Sequence, residues 1–248
     1  MGTDIHMLLE VRDGTRWKPA LPPRARGYSE TGTEYPRVAD RRNYGLFAML
    51  ADVRNGRGFA GIRTGEGYAP ISPPKGLPDD LCDEYQKGKD AYDDPNIPLA
   101  DLGDHSQSWL GLDELLAYDW HQATINRGVV DILTFAKWDE RNSYPWDGEN
   151  NVPDGFCGSV SGGGVRHVTN DEARAMVKAL GESMNDVRWG HVPPPDSWDS
   201  VYTEVEWKEA YWNRAGDFIS QTMTLMLQIA HRNGVGYGDV RCVFGFDS

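Results

Sequence analysis

Lysine is nearly absent from the first quarter of the chain: residues 1–63 hold one Lys beside ten Arg. That excludes a diffuse patch of point charges and favours planar, bidentate contact with phosphate or carboxylate, for which a guanidinium is shaped. Cysteine is scarce as well. Cys82, Cys157 and Cys242 are widely spaced, odd in number and without a C-x-x-C, so a disulfide framework is excluded. They read as free thiols of a reducing cytoplasm, with Cys242 in the core. No apolar run approaches the roughly 18–20 residues that span a bilayer. The start lacks the basic and apolar regions of a signal peptide, and Met1-Gly2 is followed by His6 where myristoylation needs Ser or Thr. No membrane partner is expected. Repeats and low-complexity tracts are missing too.

What is present is a 248-residue chain rich in Trp, Tyr, Gly and Pro, long enough to bury a substantial core. Its charge is lopsided. Residues 1–63 carry net +4, the remainder −17, giving −13 overall. An acidic protein repels duplex nucleic acid at long range, while the Arg-rich quarter leaves room for a local anion pocket.

Ile5 to Val11 reads as a strand, with Asp4, His6, Leu8 and Glu10 on one face and Ile5, Met7, Leu9 and Val11 on the other. Asp13-Gly14 turns it into a second strand through Trp17. Leu46, Phe47, Leu50 and Val53 fall at helical spacing, and Asn55-Gly56 reads as the stop. Residues 19–37 and 56–78 read as Pro/Gly-punctuated loops. Asp79 to Tyr92 suits a short polar helix, and the polar loop Gly103–Leu110 leads into a helix from about Leu112 to Trp120. Gly128 to Trp138 is apolar without a decisive period. Residues 139–168 read as a long polar insertion, Thr169 to Glu172 as a capping box opening a helix to Leu180, and Val201 to Trp207 as a strand. The longest helix is expected over Glu209–Arg232 and a last strand over Val240–Phe246. Together these predict one α+β domain over residues 1–248, its mixed or antiparallel sheet joining both chain ends, with three to four helices and long loops.

Three segments carry a resemblance: Gly2-Thr3-Asp4-Ile5-His6, Arg42-Asn43-Tyr44 through Asn55-Gly56, and Asp104-His105-Ser106 with Ser108-Trp109-Leu110. In this order they resemble a family of uncharacterised bacteriophage and bacterial proteins that commonly begin G-C-D-I-H and close on a strand like Val240 to Asp247. Thr3 stands here where the family has Cys, which removes any thiol role at that place. The resemblance implies a phage or mobile-element setting and no particular chemistry.

Two constellations remain. Asp4 and His6, two residues apart on one strand face and so about 6–7 Å apart, could with His105 begin a divalent-metal site; Asp40 or Asp52 would be a fourth ligand. The two-His motif spaced by one residue is missing, since position 8 is Leu. The alternative is that both histidines are satisfied by neighbouring carboxylates. The second constellation is an anion-binding set of Arg41, Arg42, Asn43, Tyr44, Arg54, Asn55, Arg57 and Trp109, with Tyr144, Trp146, Trp189, Trp198 or Trp212 available to stack on a base. Its alternative is a core helix whose arginines pair with the protein's own acids. Ser106 and Ser108 near His105 lack the glycines of a nucleophile elbow and read as helix caps. Ser159 to Gly164 lacks the lysine of a P-loop.

Three functions follow, in order: a cytoplasmic protein that sequesters an anionic, nucleotide-like small molecule; a metal-dependent hydrolase of a phosphate compound using Asp4, His6 and His105; and an acidic protein covering a host factor. A homo-oligomer is compatible with each.

Overall fold

The computed structural model describes residues 3–27, 31–39, 42–56, 63–64, 67–142 and 152–247. In chain order come β1 (Ile5–Asp13), β2 (Arg16–Pro19), the two-residue strands β3 (Arg24–Ala25) and β4 (Thr33–Glu34), α1 (Tyr44–Ala51) and β5 (Arg63–Thr64). Then follow α2 (Asp83–Gly88), β6 (His105–Gly111), α3 (Leu112–Ala117), β7 (Ala123–Asp131), α4 (Ile132–Asn142), β8 (Arg166–Val168), α5 (Asn170–Ala179) and α6 (Ser183–Arg188). The chain closes with β9 (Val201–Ala210), α7 (Tyr211–Asp217), a π-helical stretch Phe218–Met223, α8 (Thr224–Asn233) and β10 (Val240–Phe246). The fold is α+β. Among the described residues, four α-helices reach eight residues (α1, α4, α5 and α8), and no helix is long and apolar enough to cross a membrane.

Contacts divide the chain into two compact units, a division no shift in composition announces. The first comprises Met1–Val53, Ala69–Asp119 and Arg214–Ser248; the second Arg54–Tyr68 and Trp120–Asn213.

In the first unit the sheet order is β2-β1-β10-β6, every neighbour antiparallel. The two chain ends lie side by side, Ile5 opposite Phe246 and Val11 opposite Val240, in the one sheet expected of them. The face bearing Phe246 packs on α1, with the Phe47 ring 5.0 Å from Phe246, and α8 lies against β1 and β10. The other face carries Leu8 and Val243, covered by Tyr35, Cys82 and Tyr85. Close approach decides one corner. A Cβ on Gly245 would fall 2.0 Å from the Leu102 carbonyl oxygen, and one on Gly103 2.5 Å from the Phe246 nitrogen.

α1 differs from its expected single stripe: Gly45 through Ala51 are all buried, as befits a helix apolar on every side. Asn43 caps its start through Leu46 N–H. Its end is Asp52, in the left-handed region at φ 55°, not Asn55-Gly56. The 103–110 segment is also corrected. His105 to Gly111 is a strand, because β10 offers it an edge to pair with, and buried Ser108 accepts the Lys75 N–H rather than capping a helix.

In the second unit β5-β7-β9-β8 form a sheet. The undecided apolar run resolves into strand then helix at Asp131, whose carboxylate accepts from Thr134 N–H and Oγ1–H. The Thr169–Glu172 capping box opens α5 as expected, and α4 and α5 pack with β9 around Phe135, Trp138, Trp198 and Trp207. The helical run beginning at Tyr211 starts two residues later than the sequence suggests, since β9 continues through Ala210.

Candidate functional site

At one end of the first sheet, β1 places His6 between two carboxylates. Nδ1 lies 2.6 Å from Asp101 Oδ2 and Nε2 3.1 Å from Asp247 Oδ2. Ionised carboxylates only accept, so this pair favours the doubly protonated ring, against the Arg37 guanidinium 3.1 Å from Nδ1. The ring's pKa is raised, chiefly by the Asp101 hydrogen bond; burial and the Arg37 charge work against this. Burial alone would raise Asp101 and Asp247. The hydrogen bonds and charge of His6, with the backbone N–H groups of Gly103 and Asp4, outweigh burial and lower both. Arg37 Nη1 is 3.5 Å from Asp101.

Asp4, His6 and His105 do gather at this sheet end, around Asp247. Its side chain meets His6, its carboxylate accepts the Asp4 N–H at 2.9 Å, and its carbonyl accepts from His105 Nε2 at 3.2 Å. They do not form a metal set. Both His6 nitrogens face carboxylates, Asp4 holds Arg42 through two 3.0 Å hydrogen bonds, and His105 Nδ1 takes the Ser106 hydroxyl at 3.1 Å. Among the described residues no group of three or more His, Cys, Asp and Glu could hold a metal ion. In place of the expected divalent-metal set, the described groups occupy one another: His6 lies between Asp101 and Asp247, and His105 between the Asp247 carbonyl and the Ser106 hydroxyl.

Of the predicted anion clamps, Arg42 is taken up by one of the protein's own acids, as are other arginines of the first quarter. Arg42 is the partner of Asp4, Arg37 of Asp101, Arg24 of Glu34 and Arg12 of Asp239, while Arg26 donates to the carbonyls of Ala91 and Tyr92. Asn43 caps α1 and donates to the Arg214 carbonyl; Tyr44 accepts the Thr3 N–H. Asn55 clamps Tyr68, accepting its N–H at 2.8 Å and donating to its carbonyl at 2.7 Å. Arg54 has a left-handed backbone at φ 55°. Asp40, Arg41, Arg57, Tyr144 and Trp146 lie outside the described residues. Trp198 is core, and Trp189 and Trp212 are exposed.

Trp109, the remaining member of that set, leads to a different site. At the far end of the sheet, five residues and so roughly 17 Å along β10 from Phe246, Arg241 is buried between tryptophans. Its guanidinium carbon lies 4.0 Å from the Trp17 ring centroid and 5.5 Å from that of Trp109. Arg12 sits 4.7 Å from Trp17, and Lys75 Nζ 4.2 Å from Trp109. Cations and indoles thus alternate across all four strands, Arg12, Trp17, Arg241, Trp109, Lys75, each pair an attraction between charge and ring quadrupole. Arg241 is anchored from below by Glu10 at 2.6 Å and at its tip by Asp80 at 2.7 Å. Glu10 also accepts the Cys82 N–H, and Asp80 the Trp17 indole N–H. Burial alone would raise the Asp80 pKa, but the Arg241 and Trp17 hydrogen bonds hold it below the usual range.

Above this ladder opens a cavity of about 670 Å³, a size that suits a small molecule. Trp17, Trp109, Lys75, Asp79, Asp113 and Glu114 are among its walls. Lys75 Nζ bridges from the Trp109 face to Glu114 at 3.0 Å. A second cavity, about 550 Å³, lies beside Arg37, Tyr92 and Asp101. Sequence reasoning missed Trp17, Lys75, Glu10 and Arg241. A signal did exist for the last two: each is a full charge inside an apolar strand, on the side chains' shared face.

The second unit holds a buried polar knot. Glu209, 1% exposed, accepts from Asn126 at 2.6 Å, Asn213 at 2.8 Å and the Trp207 indole at 3.2 Å.

No family model, curated protein or solved structure matches this chain.

Proposed function

We propose that this protein binds and sequesters an anionic, nucleotide-like small molecule in the cavity above Trp109. The observation that carries the reading is the perch of Lys75: an ammonium on a half-buried indole, tied to a partly exposed Glu114. A planar base taking that place on Trp109 releases Lys75 to its phosphate. Magnitudes favour the exchange. Leaving the indole costs about 0.5–1 kcal/mol at an exposed site, and breaking a surface ion pair about 0–1 kcal/mol. Stacking of a base returns about 1–3 kcal/mol, and a charge-assisted hydrogen bond to phosphate about 1.5–3 kcal/mol.

Sequestration is preferred to turnover because Arg241, Asp80, Lys75 and Glu114, which line the cavity, are held in pairs rather than set as a catalytic base. In the phage setting that the resemblance implies, such a protein would work in the host cytoplasm by withdrawing a nucleotide signal from host defence. Calorimetry with mono-, di- and cyclic nucleotides tests binding. Trp109→Ala should weaken it by about ten- to a hundredfold, the stacking energy converted at 1.4 kcal/mol per decade. Ligand recovered after long incubation and denaturation should be intact. Silence across the panel with folded protein would remove the reading, and a converted ligand would make the protein an enzyme.

A further inference from the structure

We propose that Ser106 and His105 act as nucleophile and general base in the cleavage of small, uncharged acyl esters. Neighbouring side chains on a regular strand point to opposite faces and do not meet. These two do, because β6 carries a bulge. His105 stands opposite Phe246 and Ser108 opposite Phe244, so Ser106 and Gln107 together face Gly245. Ser106 takes φ 49°, the left-handed conformation that such a bulge ordinarily gives to glycine. The turn re-aims its side chain, and Ser106 Oγ comes to 3.1 Å from His105 Nδ1. The glycines of a nucleophile elbow, missing from the sequence, are thus not needed to present the hydroxyl.

The ring is set for the part. Its Nε2 lies 3.2 Å from the Asp247 carbonyl oxygen, which can only accept, so Nε2 carries the proton. In the neutral ring this leaves Nδ1 as the acceptor that the serine hydroxyl meets. Nucleophile, base and orienting group therefore stand in one line. Asp247 is fixed in turn by the Asp4 N–H at 2.9 Å and by His6 Nε2 at 3.1 Å, and the His105 ring stacks on Phe246. Both side chains are half-buried, held yet open to solvent. Attack joins Oγ to the acyl carbon and passes the hydroxyl proton to Nδ1; the departing alcohol takes that proton with it. Water, deprotonated by the same nitrogen, then frees the acid and restores Ser106. Asp104 precedes the pair and Asp247 touches it, and their carboxylates repel an anionic electrophile. Neither Ser106 nor His105 lines the cavity above Trp109, so this inference and the nucleotide reading fail separately.

The test treats the intact chain with a fluorophosphonate, which loses fluoride as a serine oxygen bonds to its phosphorus, and maps the adduct by mass spectrometry. One adduct on Ser106 is expected, with p-nitrophenyl acetate hydrolysed by the unlabelled protein and not by the labelled one. Ser106→Gly removes the hydroxyl while suiting the left-handed backbone, and should melt no lower than wild type yet take no label. His105→Gln should slow labelling of Ser106 by about a hundredfold or more; if that variant does not fold, wild type against Ser106→Gly decides. Wild-type protein that stays unlabelled, a label on a different serine, or acetate hydrolysis undiminished in Ser106→Gly would overturn the proposal. Labelling of Ser106 at full rate in folded His105→Gln would overturn the base assignment.

Discussion

Arg241 and Glu10 hold opposite charges where almost no water reaches, 3% and 0% exposed at their side chains. Desolvating both ions costs several kcal/mol, and their attraction offsets this only because the remaining hydrogen-bonding groups are matched to Cys82 and Asp80. Removing one partner should thus be worse than removing both. Arg241→Met is expected to lose about 3–5 kcal/mol in urea denaturation, and the double variant Glu10→Leu/Arg241→Met to recover most of it. His6 behaves differently, since its charge is a function of pH. A folded pKa raised above the unfolded value of about 6.5 contributes stability that is full below that value and lost as pH rises through the folded one. The lowered values of Asp101 and Asp247 contribute in the opposite sense, present above about pH 4 and lost as pH falls. The stability difference between wild type and His6→Gln should therefore be largest near pH 5–6 and shrink toward pH 9. A difference that grows with pH would contradict the paired imidazolium.

At the scale of elements, the first sheet depends on backbone approach as much as on side-chain packing. β10 runs against the 102–103 segment so closely that only hydrogen fits at Gly245, where an added methyl would overlap the Leu102 carbonyl. Gly245→Ala must push that segment away, and with it neighbouring Asp101, which pairs with His6. A loss of about 1–3 kcal/mol is expected, the usual range for overpacking. The His6 imidazole NMR signals should shift in the same variant. An unchanged melting temperature would show the corner to be looser than its geometry.

Across the whole molecule, charge decides which partners are admitted. At net −13, with Arg12, Arg24, Arg37 and Arg42 each beside a carboxylate, no basic stripe is left among the described residues to track a phosphate backbone. Duplex DNA should give no mobility shift at physiological salt. A retarded band that weakens steeply with added salt would reverse that expectation. The proposed mononucleotide site is a different case, because it asks for only one lysine and one indole face.

The sequence by itself determined the two strands at the chain ends, the capping box of α5 and the buried Cys242. Each follows from short-range rules: alternation, cap chemistry, apolar composition. Only the tertiary structure decided what the charged residues do. A guanidinium is equally suited to a ligand's phosphate or to the protein's own Asp, and Asp101, Asp239 and Asp247 lie far along the chain from the groups they meet. The ladder from Arg12 to Lys75 was illegible for the same reason. Trp17, Trp109 and Arg241 become neighbours only through the order β2-β1-β10-β6, and no local pattern encodes strand order.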